Sequence, residues 1–246
     1  PPTLTVIREF ISDFTKIRRT PVILLHLVLP VVITAVFLVY YKYAGYHIIP
    51  DVRLFFIILQ ICFPVFAGIA VPVLINLDRN ISNIQNSLGL TETRKGVYLG
   101  KLFFLMFLCA LSMILYELCF YVGVRFFLGI SIMDYTSYLV MFLIFLFGNI
   151  FLYLLHIFIA FRLGAGISVF TGIAGTISAG YFENAIGDQI WPFIPWEWGV
   201  RFLKKLFGFS NIPVFSGIIS LIIITLAVLV LSVLWFDRWE GNIVQE

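Results

Sequence analysis

The sequence predicts an all-α integral membrane protein with six transmembrane helices, an N-terminal amphipathic interfacial helix, and short extracellular helices between spans five and six. Three observations carry this. Hydrophobic residues make up 61% of the 246 and charged residues only 12%, against about half and about a quarter in soluble domains. The mean hydropathy is +1.06. Six separate stretches, 21–41, 54–76, 100–124, 135–161, 164–180 and 214–236, approach the ~20 apolar residues a helix needs to cross a bilayer. The chain therefore reads as a single transmembrane domain over 1–246.

Taken in order, residues 1–20 carry Ile7, Phe10, Ile11, Phe14 and Ile17 at steps of three and four, while Arg8, Asp13, Lys16 and Arg19 fill much of the remaining surface. That pattern suits a helix lying in the membrane interface with its bases toward lipid headgroups. The alternative is a plain extension of span one, against which Pro21 argues by interrupting the helix. Because span one has full spanning length and follows about 20 mixed residues, no cleavable signal peptide is expected. Span two holds Pro64, Gly68 and Pro72 at four-residue steps, which predicts a kink. Segment 77–99 is polar, yet Ile81, Ile84 and Leu88 form an apolar stripe and Gly89 offers a stop. It reads as a short helix across the membrane face or as an ordinary loop.

Spans three and four each contain an ionisable residue, Glu117 and His156. Such groups are costly in lipid and face protein or water. They either line a polar path to a substrate or bond a neighbouring helix structurally, and residue type leaves both open. Span five is short and rich in small residues, with Gly164, Ser168, Gly172, Thr176 and Gly180 recurring every four. Residues four apart share a helix face, and a small-residue face lets another helix approach closely. Its partner lies either within the chain or on a second subunit. Segment 181–208 holds Trp191, Trp196 and Trp198, Pro192 and Pro195, and Glu183, Asp188 and Glu197. The prolines predict two short pieces rather than one helix, and each Trp taken singly suits an interfacial belt.

An even number of spans puts both termini on one side. If that side is the cytoplasm, it receives Arg8, Lys16, Arg18, Arg19, Arg79, Arg94, Lys95, Lys101, Arg162 and Arg238. The outside then receives Lys42, Arg53, Arg125, Arg201, Lys204 and Lys205. The excess of bases favours termini inside; the Arg201–Lys205 cluster is the dissenting piece. Net charge is only +3, so no nucleic-acid partner is expected. Cys62, Cys109 and Cys119 lie in apolar runs and read as small packed hydrophobes. No metal-ligand spacing and no catalytic constellation is visible, so no catalytic residue, no metal and no cofactor is expected in this chain.

At residues 77–102 a further pattern emerges: Asp78-Arg79, a helix ending near Leu88-Gly89, Thr93-Arg94, then Tyr98-Leu99-Gly100-Lys101-Leu102. It resembles the segment between spans two and three of ABC-2 type permeases, which forms the coupling helix seated on the ATP-binding subunit. The length, the layout and the Trp191-Pro192 and Pro195-Trp196 pairs are similar to the permeases of lantibiotic-immunity ABC transporters. The resemblance implies ATPase coupling through Asp78, Arg79, Ile81, Ile84, Leu88, Glu92, Arg94 and Lys101. It implies a separate ABC ATP-binding subunit carrying ATP and Mg, a second, nonidentical permease subunit, and a bacterial cell membrane with both termini cytoplasmic. The subunit interface would then use Gly164, Ser168, Gly172, Thr176 and Gly180. The substrate would be a cationic antimicrobial peptide taken from the lipid bilayer. Glu183, Asp188 and Glu197 would meet its charge, Trp191, Trp196 and Trp198 its apolar side, with Glu117 and His156 as further candidates. The rival readings are an ABC-2 permease for a drug, lipid or polysaccharide, and an energy-independent carrier or channel.

Overall fold

The computed structural model describes residues 2–17, 20–43, 49–81 and 94–239, with 2–4 and 78–81 given by their backbone alone. In chain order the helices are α1 (Pro2–Ile17), α2 (Pro21–Tyr43), α3 (Leu54–Ile81), α4 (Arg94–Leu128), α5 (Tyr135–Arg162), α6 (Ala165–Phe182), α7 (Trp198–Leu206) and α8 (Phe215–Asp237). Three 3-10 turns, Ala185–Gly187, Trp191–Phe193 and Pro195–Glu197, connect α6 to α7. Among the described residues there is no strand. Six helices are long and apolar enough to cross a membrane: α2, α3 as far as Leu77, α4, α5, α6 and α8. That is the make-up of a multi-pass membrane protein, and each span lies within a few residues of a stretch read from the sequence.

Local chemistry explains the boundaries. Pro21 opens α2, where its missing N–H costs nothing and its fixed φ suits a helix. Asp134 caps α5, its carboxylate accepting from the Ser137 N–H at 3.1 Å. Gly164 turns the chain from α5 into α6 at φ +91°, a conformation that only glycine visits without strain. Inside α5, Asn149 leaves helical geometry at φ −102°, ψ 1°. Its Nδ2 donates to the Phe145 carbonyl at 2.8 Å, a local bond that competes with the helix ladder.

α3 is the centre of the bundle. Its most extensive contact is with α6, followed by α5, and it also meets α7. Pro72 removes the N–H that would bond the carbonyl four residues back. That carbonyl is Gly68, and Ser168 Oγ of α6 donates to it at 3.1 Å. The outermost spans show apolar side chains to the surroundings: Ile222, Leu226 and Val230 of α8 are about half exposed. In a bilayer such side chains meet lipid tails, as apolar as the core itself.

Two ends can be distinguished by their contacts. The terminal side carries α1, the start of α4 and the end of α8. The far side carries residues 49–53 and the α6–α8 connection, where Asp51 and Arg53 pair at 2.6 Å and the Arg53 guanidinium lies 5.0 Å from the Phe209 ring centre. α1 packs along the start of α4, with Phe10 and Phe14 edge-on to Phe104 at 5.7 and 5.1 Å. Ile7 and Ile11 of the same stripe are exposed, whereas Asp13, expected on the polar surface, is fully buried. The helix thus presents a mixed face to α4, because one buried ion pair sits among its aromatic contacts.

Candidate functional site

On the terminal side, α4 is held from both directions. Arg94 donates to the Trp239 carbonyl at 2.8 Å and Lys95 pairs with Asp237 at 3.3 Å, so the first turn of α4 is tied to the end of α8. Gly100 lets α1 approach closely: a Cβ there would sit 2.7 Å from Glu9 Cβ. The next residue, Lys101, lies in the same contact with its ammonium 3.5 Å from Asp13, which also accepts from Lys16 at 3.2 Å. Lys101 is 1% exposed. Its assignment as an ATPase-contacting residue is corrected: a side chain sealed between two helices cannot touch another subunit, and its charge serves to seat α1. Arg94 is half-buried and already bonded to the end of the chain. The side chains of Asp78, Arg79 and Ile81, and Ile84, Leu88 and Glu92 entirely, lie outside the described residues.

Within the bundle, His156 is fully buried. Its Nδ1 lies 3.0 Å from Ser168 Oγ, whose proton goes to the Gly68 carbonyl. Ser168 can then only accept from the ring, so His156 carries its proton on Nδ1. This is a structural knot joining α5, α6 and α3, which corrects His156 as a substrate-binding candidate. Glu117 is half-buried on α4 and within electrostatic reach of Tyr138 of α5; its Oε1 is buried without a hydrogen bond.

The middle of the small-residue face of α6, at Ser168, Gly172 and Thr176, packs within the chain against α3, which corrects the assignment of these three to a subunit interface. A Cβ on Gly172 would meet the Pro64 carbonyl at 2.6 Å and Val65 Cα at 3.0 Å. Thr176 Oγ1 accepts from the Val65 N–H at 3.3 Å, and Gly180 faces Ile61. Gly164 forms the turn and has open space around it. The face left exposed on α6 carries Ile167, Phe170, Ile177 and Tyr181.

On the far side, the acids expected to meet a cationic substrate are each paired by the chain's own bases. Glu183 bonds Lys204 at 2.7 Å, Asp188 bonds Arg201 at 2.5 Å, and Glu197 bonds Arg201 at 3.0 Å. Arg201 also donates to the carbonyls of Phe182 and Asn184. It is 3% exposed, and a buried guanidinium needs this many acceptors to offset its desolvation. Glu197 has no exposed surface; burial pushes its carboxyl up to about 7, with the Arg201 guanidinium pulling the other way. Glu197 is therefore corrected from a substrate contact to an internal one. Glu183 and Asp188 keep exposed carboxylate edges on a polar cleft of ≈ 390 Å³.

The tryptophans are also structural. Trp191 is buried against Gly217 of α8 and edge-on to Phe202. Trp198 is buried with its Nε1–H donating to the Pro192 carbonyl at 2.9 Å. Trp196 is half-buried beside Gly175 of α6. Beneath them, Gln60 of α3 and Asn149 of α5 exchange two amide bonds at 2.9 and 3.2 Å, and Gly199 of α7 rests directly on Gln60. The sequence reading missed this amide pair, although two lone amides inside apolar spans were signal enough. It also missed Arg201 as a partner of Glu197, one helical turn before it.

Among the described residues no group of three or more His, Cys, Asp or Glu could hold a metal ion. Compared with family models, curated proteins and solved structures, the chain has no match in any of the three.

Proposed function

We propose that the chain is the permease subunit of an ABC exporter that removes cationic antimicrobial peptides from a bacterial cell membrane, conferring immunity or resistance. Separate ATPase subunits would hold ATP and Mg, and a second permease would complete the pathway, with both termini in the cytoplasm. The supporting observation is the arrangement around the first turns of α4. A permease without a nucleotide site must receive its stroke mechanically. Segment 77–99 leads directly into α4, and α4 is ion-paired to α1 through Asp13–Lys101 and to α8 through Lys95–Asp237. A push on that segment therefore moves three helices as one body, the rigid-element motion that alternating access requires.

The peptide class rests on the resemblance of residues 77–102 and of the outer segment to lantibiotic-immunity permeases. With Glu197 taken up internally, cationic groups would meet the exposed edges of Glu183 and Asp188. A second reading is favoured by one observation: an apolar cavity of ≈ 260 Å³ between α2, α3, α4 and α5, lined by Leu29, Phe63, Phe66, Met113 and Tyr153 among others. It suits an apolar cargo, a drug or a lipid, on the same kind of exporter.

The test is gentle purification of the tagged chain from its native membrane with its co-purifying proteins identified. An ATP-binding subunit and a second six-span protein are expected. An ATPase with this chain alone favours the apolar-cargo exporter. Recovery without any ATPase under crosslinking overturns both in favour of an energy-independent carrier or channel.

A further inference from the structure

A groove of ≈ 420 Å³ runs between α5 and α8 under the roof of α7. Its walls include Ile144 and Phe147 of α5, Phe202 and Leu206 of α7, and Ile218 and Leu221 of α8, with Lys205 as the charged residue on its lining. An apolar groove at membrane depth is filled by whatever apolar material surrounds it, and here that is lipid. The far-side segment also leaves one of its bases unpaired. Segment 181–208 carries three acids and three bases. Arg201 and Lys204 are engaged by Glu183, Asp188 and Glu197. Lys205 is exposed and has no carboxylate within ion-pair distance among the described residues. A lysine can lay its stem along apolar surface while its ammonium stays at headgroup level, and basic positions between membrane helices attract anionic lipid headgroups.

We infer that this groove holds one anionic phospholipid, an acyl chain lying between α5 and α8 and the headgroup phosphate on the Lys205 ammonium. A zwitterionic lipid could enter the same groove, but its own cation would compete with Lys205 for the phosphate. The site needs only the leaflet at the α7 end, so it does not depend on which way the chain faces or on what it transports.

The experiment equilibrates the purified full chain in mixed micelles holding equal phosphatidylglycerol and phosphatidylcholine, then reads retained lipid by native mass spectrometry. The wild-type chain is expected to retain phosphatidylglycerol with about fivefold preference, the scale of one basic side chain near a membrane surface. Lys205→Gln should reduce this to near parity, Lys205→Arg should keep it, and Ile218→Trp should lower retention of both lipids by filling the groove. Lys42, exposed on the far side and bonded to the Phe127 carbonyl, is the control: Lys42→Gln should leave the preference intact. No preference in the wild type, an unchanged preference in Lys205→Gln, or an equal loss in Lys42→Gln overturns the site. Because Lys205 is exposed, its variants keep the fold, and the result stands even if Ile218→Trp does not assemble.

Discussion

Asp13 carries no exposed surface, and its carboxylate meets Lys101, itself 1% exposed, between two helices. Removing one member of a buried ion pair leaves the other desolvated and is far more costly than removing both. Asp13→Ala is therefore expected to destabilise the chain by on the order of 3 kcal/mol, and Asp13→Ala with Lys101→Met to recover most of it, both read from denaturant melts in detergent. Glu197 makes a pH-dependent contribution. Its carboxyl stands at about 7 when folded against an ordinary 4.5, so the folded chain binds that proton more tightly than the unfolded one. The resulting stability is full below pH 4.5 and is lost as pH rises to about 7, a change of roughly 3 kcal/mol at most. Glu197→Gln should flatten melts compared across that window; an unaltered slope would refute the assignment. The four-residue spacing of Glu197, at the N-cap of α7, and Arg201 within it was legible in the sequence. That Asp188 shares the same guanidinium was not, since a turn of unknown geometry separates them. Of the dissenting bases of the charge count, Arg201 and Lys204 are engaged by acids beside them, and Lys205 is not.

At the scale of elements, the contact of α3 with α6 rests on backbone approach rather than on side-chain bulk. Any side chain on Gly172 must displace the Pro64 carbonyl and Val65 Cα. Gly172→Leu is expected to cost about 3 kcal/mol or more, whereas Leu226→Ala, on the half-exposed face of α8, should change little. Recovery of monodisperse protein after graded heating separates the two; equal recovery would count against the close contact. The four-residue rhythm of span five announced a face of this kind, and the prolines of span two announced a disturbed helix. Neither announced that each answers the other. The carbonyl orphaned by Pro72 belongs to Gly68, and the hydroxyl that satisfies it comes from Ser168, 100 residues away. Local pattern identifies an unsatisfied group but not the distant group that satisfies it. Helix α1 shows the same limit. Its amphipathic stripe was plain, yet the partner it chose buries an acid that the stripe alone would have left in water.

For the molecule as a whole, the six spans were legible because lipid imposes length and apolarity on each segment separately. The clamp at the terminal side was not, because Arg94 and Trp239 lie 145 residues apart and each is unremarkable alone. With six spans, tags at the two termini are expected to be digested together or protected together in vesicles of either orientation; opposite accessibility would remove one span from the count. The amide pair under α7 has a further implication, for the order in which the chain matures. Gln60 and Asn149 are both synthesised before Gly199, and domains form from the N-terminal side as the chain emerges. The seat for the α6–α8 connection can therefore exist in the bilayer before that segment has left the ribosome. Docking of α7 becomes a late, local event, and a chain halted after α6 would leave two mutually bonded amides as the open floor of an unfilled seat.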